Sequence, residues 1–439
     1  MNEKKRETFT SSAGFVLACI GSAIGLGNIW MFPYRLGMYG GAAFFIPYLF
    51  FVLVLGRTGL IMEFSFGRHF AGGSMVGIRK IFKEKGLKGG TVCGALPAIG
   101  LGGIFIFYNI VVGWILKYLF MSVTGEIYRI DRSTYFESFA GTAKAIPWTL
   151  LSVAIIMGII ALGVTKGIER INNLIMPALF VIFIALAIRS LTLPGATKGV
   201  AFLVSPNWKA LTHVQTWIMA LGQAFFTVSL NGCGMVVYGS YLKKDSDISR
   251  LATATVVLDT AAALLAAFVI VPAAFAFDVD MNAGPMLLFM TMPSIFEGMA
   301  GGHVIGVIFF VSILFAAISS SINMLEGVTE AVISNFDISR KKAAVLSGGV
   351  MAFITVPLNL SMNAFDSFTN FVTIVVSPSM VLLVAILFYH VYDSRKAMAE
   401  IETGSKSQAG IGFENFSKYG FSAVTLLIIV LGICYGGIG

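Results

Sequence analysis

The stretch GSAIGLGNIWMFPY, residues 21–34, lies inside an apolar run long enough to cross a bilayer. It nevertheless carries Gly21, Gly25 and Gly27 together with Ser22 and Asn28. Glycine inside a helix costs about 1 kcal/mol relative to alanine. Lipid offers no partner to a backbone group that leaves the helical ladder. A helix that opens here must therefore give its freed groups to a ligand, an ion or a buried side chain.

The rest of the chain sets the context. Of its 439 residues 57% are hydrophobic and only 12% charged, against about 25% charged in soluble domains. The composition implies an all-α integral membrane protein. Apolar spans fall at about 13–36, 41–66, 92–123, 147–164, 171–190, 215–241, 251–276, 302–333, 342–358, 366–392 and 418–437. Eleven transmembrane helices would put 21 of the 30 lysines and arginines on the side of the N-terminus and 7 on the other. This bias predicts a cytoplasmic N-terminus and an extracellular C-terminus in a plasma membrane. It also accounts for the net charge of +8 without nucleic acid. Cys19, Cys93, Cys233 and Cys434 lie in or beside apolar spans and outline no disulfide framework. The four histidines are scattered, which argues against a transition-metal site. The first ten residues lack the design of a cleavable signal.

A second interruption lies in the sixth span, where residues 229–234 read SLNGCG. Breaks five helices apart point to two inverted five-helix repeats around a mid-membrane site. The expected division is a cytoplasmic segment 1–12, a first repeat 13–190, an extracellular loop 191–214, a second repeat 215–392, a cytoplasmic loop 393–417 and an additional helix 418–439. The competing reading makes both clusters close-packing surfaces, and Gly21 and Gly25 have that spacing. Opened helix ends suit an anionic group, and freed carbonyls suit a small hard cation. A nucleotide loop is excluded, because no strand precedes Gly25 and no G-x-G-x-x-G is completed.

Five motifs, GSAIGLGNIWMFPY, GGAAFFIPYLF, MEFSFGR, GQAFFTVSL…YGSYL and FAAISSSINMLEG, resemble the neurotransmitter:sodium symporter family. The likeness runs over residues 9–392 and is nearest to bacterial eleven-helix members that carry hydrophobic amino acids. It implies a first sodium site from Ala23, Asn28, Thr227 and Asp259, completed by the substrate carboxylate. It implies a second from the carbonyls of Gly21, Ile24 and Ala316 with the hydroxyls of Ser319 and Ser320. From the residues alone, Ser319 to Ser321 would rather bond helix to helix. Substrate contacts would come from Ser22, Ala23, Gly25, Gly27, Ile104, Tyr108, Val111, Phe226, Thr227, Ser229, Gly232, Ser320, Ser321 and Met324. Ile104, Tyr108 and Val111 share one helix face by spacing. Gly232, at a position where some relatives carry a bulky aromatic, would enlarge the pocket for large side chains. Asn323 lies beside the pocket or faces a neighbouring helix.

Chloride-dependent relatives have an asparagine where this chain has Asp259, and the residue one turn later is Ala263. A mid-membrane charge costs about 3 kcal/mol on insertion scales, a cost that an adjacent cation offsets. The expectation is a chloride-independent symporter in which Asp259 supplies the fixed negative charge, with Tyr48 and Gln223 at the positions that would flank chloride. At the outer gate the resemblance pairs an arginine with Asp366, but the arginine position is Met31. At the inner gate it implies Arg6, whose acidic partner position reads Ser334, with Asp337 nearby. Glu63 would cap the amides freed in the sixth span. Gly167 and Pro177 bracket a segment that some relatives unwind. The implied activity is import of hydrophobic L-amino acids, tryptophan included, by alternating access. It needs no cofactor beyond sodium ions, two in number. The partners are the amino acid, Na+ and the lipid bilayer, with no nucleic acid. A monomer suffices, and dimerisation is left open. The alternative is a non-transporting amino-acid sensor with the same fold. No nucleophile–base pair supports an enzyme.

Overall fold

The computed structural model describes residues 7–278, 287–405 and 409–438. We label the helices that build the membrane body α1 Ser12–Ala23, α2 Gly27–Met38, α3 Ala42–Phe70, α4 Gly90–Thr124, α5 Ala143–Ala161, α6 Val164–Leu191, α7 Val214–Thr227, α8 Gly234–Gly239, α9 Ile248–Ala276, α10 Gly302–Phe336, α11 Arg340–Leu358, α12 Met362–Glu402 and α13 Ile411–Tyr435. Among the described residues nine helices are long and apolar enough to cross a membrane. Helices α1 and α2 form a tenth span, bent by 60° at residues 24–26. The expected sixth span is divided instead into α7 and α8, each too short to cross alone, by an unwound stretch at residues 228–233. The interruptions are thus in the two spans where glycine and polar residues cluster.

Local chemistry fixes the ends. Ser11 begins α1 by accepting from Gly14 N at 2.9 Å, and Asp247 begins α9 by accepting from Arg250 N at 3.0 Å. Gly125, at φ 71°, closes α4 in the left-handed region. The expected loops are more structured than polarity alone suggests. Residues 191–214 contain the helix Ala196–Val204, and residues 67–91 contain the helix Ser74–Glu84. Segment 393–417 includes the end of α12 and the start of α13.

Packing separates an inner bundle from a lipid-facing rim. Helix α1 contacts α6, α9 and α10, while α10 packs extensively on α4 and α8 packs on α3. The α3–α8 approach needs glycine, since a methyl on Gly67 would lie 1.8 Å from the Val236 carbonyl. On α6, Leu174, Val181 and Ile188 are exposed at seven-residue spacing. One apolar face of that helix is therefore left for lipid, and the opposite face buries Asn172, Met176 and Leu179. The broken helices lie inside, surrounded by protein, where opened backbone can be satisfied.

Candidate functional site

At the first break the chain turns extended at Ile24, with ψ 93°. In an unbroken helix the amides of Gly25 and Leu26 would bond the carbonyls of Gly21 and Ser22. Here Gly25 N donates to Asn28 Oδ1 at 3.4 Å and Leu26 N to Tyr108 Oη at 3.3 Å. The released carbonyls collect hydroxyls from the unwound stretch after α7 and from α10. Ser229 Oγ donates to Ser22 O at 2.7 Å. Ser320 Oγ lies 3.2, 3.1 and 3.3 Å from the carbonyls of Gly21, Ser22 and Ile24.

The second break is held by acceptors for its freed amides. Glu63 Oε1 accepts from Asn231 N at 3.1 Å and Gly232 N at 2.8 Å. Asn231 Oδ1 accepts from Cys233 N and Gly234 N, opening α8, and its Nδ2 donates to Ser229 O at 2.8 Å. Ser229 itself sits at φ 57° and Gly232 at φ 72°. A buried carboxylate at a helix N-terminus suits both the dipole and the unpaired donors.

Beside the breaks, Asp259 is fully buried on α9. Asn28 Nδ2 donates to Asp259 Oδ1 at 2.8 Å, and Thr227 Oγ1 donates to Oδ2 at 2.9 Å. Two elements, α2 and α7, thus each bring a polar side chain to the one carboxylate on α9, Asn28 through its amide nitrogen and Thr227 through its hydroxyl, and Ala23 ends α1. Gln223 Nε2 donates to Gly27 O at 3.2 Å, and Tyr48 lies within electrostatic reach of Asp259. The Asp259 carboxylate and the Thr227 hydroxyl are oxygen groups that suit a hard monovalent cation, whereas Asn28 turns its nitrogen to the carboxylate and its oxygen to Gly25 N. On the other side of α1, Ser319 Oγ donates to Ala316 O at 2.9 Å. Ser320 Oγ joins the Gly21 and Ile24 carbonyls of α1 to α10, and Ser319 adjoins Gly21, its Cβ 3.0 Å from where a methyl there would lie.

Between the two clusters lies the backbone of Gly25 and Gly27. A methyl on Gly25 would meet Tyr108 Oη at 2.8 Å and Ser320 Oγ at 2.9 Å, whereas one on Gly27 would meet nothing within 4 Å. Ile104, Phe226 and Ser229 keep partial exposure in mid-membrane, while Val111, Ser320, Ser321 and Met324 are buried. Gly232 does not enlarge this space. Its missing side chain would point at the backbone of α12, 2.6 Å from Met380 O. The expectation for Gly232 is corrected accordingly: glycine there serves close helix approach and positive φ. Asn323 Nδ2 donates to Gly234 O at 3.1 Å and so faces α8.

A sequence model of the sodium:neurotransmitter symporter family matches residues 6–132 and 134–436. The chain belongs to that family. It is 34% identical to an uncharacterised sodium-dependent transporter of Bacillus subtilis, over 98% of each chain. It is 30% identical to another from Methanocaldococcus jannaschii, over 94% of this chain and 87% of that one. The fold is similar to the crystal structure of MhsT in complex with L-phenylalanine, with TM-score 0.85, 35% identity and coverage of 97% and 99%. The symporter fold, the mid-membrane breaks and the sodium dependence of relatives make this a multi-pass membrane transporter rather than an enzyme.

Arg6 lies outside the described residues, and Ser334 Oγ donates to Glu330 Oε1 at 2.9 Å. Among the described residues a buried cluster ties the N-terminal segment to the bundle. Glu326, fully buried on α10, receives Tyr241 Oη and both oxygens of its carboxylate receive Arg340, at 2.9 and 2.7 Å. Glu7 reaches the same arginine at 3.7 Å and accepts from Val164 N at 2.6 Å. Thr10 donates through N and Oγ1 to Glu169, and Phe9 packs edge-on against Phe15 and Tyr238. Sequence reading counted Arg340 only as topology charge, and the signal missed was Glu326, an acid within a 35-residue apolar helix. Asp366 is exposed, and no ion pair reaches it among the described residues. Arg35, one turn beyond Met31, is buried and donates to Met219 O at 3.2 Å, tying α2 to α7. The segment between Gly167 and Pro177 is helical here, entered by a widened turn at Val164–Glu169.

Proposed function

We propose that this transporter imports hydrophobic L-amino acids, coupled to two sodium ions, by alternating access and without chloride. The observation that carries the reading is the buried carboxylate of Asp259 bonded by Asn28 and Thr227 beside the opened backbone. A fixed negative charge there offsets a sodium ion and removes the need for a bound anion. The amide of Asn28 would turn its oxygen to the ion, releasing Asp259 to bind the same cation. Substrate carboxylate would approach the backbone of Gly25 and Gly27 with Tyr108 as donor. Its amine would meet carbonyls near Ser22, Ala23, Phe226 and Thr227 with Ser229, and its side chain would reach Ile104, Val111, Ser321 and Met324. The carbonyls of Gly21, Ile24 and Ala316 with Ser319 and Ser320 would hold the second sodium and clamp α1 to α10.

The proposed architecture is eleven crossings, with inverted repeats over 13–190 and 215–392, a cytoplasmic N-terminus, an extracellular C-terminus and the monomer as the working unit. Phenylalanine in the MhsT complex supports a large apolar substrate. The tight inner closure at Glu326 and Arg340 supports a state sealed from the cytoplasm. The test is uptake of labelled amino acids into proteoliposomes under an inward sodium gradient. Phenylalanine, leucine and tryptophan should accumulate and compete, equally in chloride and gluconate. Binding without accumulation would favour a sensor, and arrest in gluconate would refute the role given to Asp259.

A further inference from the structure

One buried acceptor next to the second oxygen cluster has no role so far. Asn172 lies on α6 and is fully buried. Its Nδ2 donates to Ile168 O at 2.9 Å, which fixes the direction of the amide. Its Oδ1 has no hydrogen-bond partner among the described residues. That oxygen points at α1: a methyl on Gly21 would lie 2.1 Å from it and 3.0 Å from Ser319 Cβ. Leaving such an oxygen unpaired costs about 1–3 kcal/mol. Buried unsatisfied groups are rare enough that each asks for an explanation, an unplaced ion among them.

The neighbours make an ion the fitting partner. Asn172 Oδ1 and Ser319 Cβ meet at the same face of Gly21, whose carbonyl is bonded by Ser320 Oγ at 3.2 Å, so the carboxamide adjoins residues that carry neutral oxygen donors. No cationic side chain bonds the amide among the described residues. Further along α6, Glu169 faces Gly14 of α1 and is tied to Thr10. Oxygen groups on α6 therefore face the glycines of α1 both at the cluster and nearer the sealed N-terminal segment. The widened turn at Val164–Glu169 lies immediately before Asn172 and includes its acceptor Ile168.

We propose that the Asn172 carboxamide oxygen is a further ligand of the second sodium ion, on its cytoplasmic side. The inference rests on the sodium reading of the Ser319–Ser320 cluster given above. It makes α6 a third wall of that site, so opening of the turn before Asn172 would withdraw one ligand and loosen the ion.

The full-length protein in nanodiscs tests this by titrating Na+ against binding of labelled phenylalanine. Asn172→Ala should raise the sodium concentration at half-saturation about tenfold. Asn172→Asp, nearly the same shape with a charge, should lower it. Phenylalanine affinity at saturating sodium should stay at the wild-type value in both. A purely structural asparagine would give both variants a lower melting temperature and an unchanged sodium requirement, and that result would overturn the proposal. If Asn172→Ala does not fold, Asn172→Asp decides alone, and an unchanged or weakened sodium response in it overturns the proposal. Ser319→Ala separates the two levels. A weakened sodium response in Ser319→Ala beside wild-type responses in the Asn172 variants removes Asn172 only. No response in Ser319→Ala removes the second site itself and this inference with it.

Discussion

Replacing Asp259 by asparagine isolates charge from shape. The carboxylate accepts from Asn28 Nδ2 at 2.8 Å and from Thr227 Oγ1 at 2.9 Å. An amide of the same size still accepts from Asn28, and the Thr227 hydroxyl can turn to accept from it. The geometry should survive, while the fixed charge is lost. At about 4 Å and an effective dielectric near 20, one unit charge is worth about 4 kcal/mol to a cation. Part of that is offset because a buried carboxylate no longer has to be desolvated. A net loss of about 2.5–3 kcal/mol corresponds to roughly a hundredfold higher sodium requirement. The assay is equilibrium binding of labelled phenylalanine as sodium is titrated, in chloride and again in gluconate. The wild-type protein should give one curve in both salts. The Asp259→Asn protein should shift strongly in gluconate and recover in part with chloride, because an anion near Tyr48 and Gln223 replaces the missing charge. A sodium requirement within about threefold of wild type, insensitive to chloride, would refute the assignment of Asp259.

Three further substitutions probe other parts of the geometry. Gly25→Ala puts a methyl 2.8 Å from Tyr108 Oη and 2.9 Å from Ser320 Oγ. Calorimetry should show substrate affinity falling by about two orders of magnitude or more, with little change in melting temperature. Gly232→Ala combines φ 72° with a contact 2.6 Å from Met380 O. It should destabilise the protein by about 1–3 kcal/mol, read as a lower melting temperature, with no gain in the size of substrate accepted. Arg340→Ala leaves the buried Glu326 without its cation. Loss of one partner from such a pair costs about 3–5 kcal/mol. Amide exchange in residues 9–16 should accelerate as the inner side opens.

Much of the site is legible in sequence because it depends on backbone behaviour that residue types announce. Gly25, Gly27 and Asn28 point to an opened helix and SLNGCG to a second, against a competing close-packing reading that the structure removes. Glu63 was legible only through the family resemblance, and in the structure it accepts from the freed amides of Asn231 and Gly232. The inner closure was not. Its members Glu7, Tyr241, Glu326 and Arg340 come from four separate segments, and although Tyr241 and Glu326 lie in the YGSYL and FAAISSSINMLEG motifs, neither motif names the partner its residue meets. Gly232 shows the opposite error. The resemblance implied pocket volume where some relatives carry an aromatic, but the direction of the absent side chain is set by the fold and meets Met380 O.

The sequence by itself determined the solvent, the helical class and the two places where the ladder opens. Apolar length, charge placement and glycine clustering are local properties that lipid converts directly into structure. Only the tertiary structure decided which oxygens meet. Asp259 finds Asn28 and Thr227 from distant helices, and Arg35 takes a carbonyl of α7 where Met31 left the outer side without a cation. Asn172 is aimed at Gly21 rather than at lipid. Those meetings depend on the angles at which helices cross, which no single segment of the chain encodes.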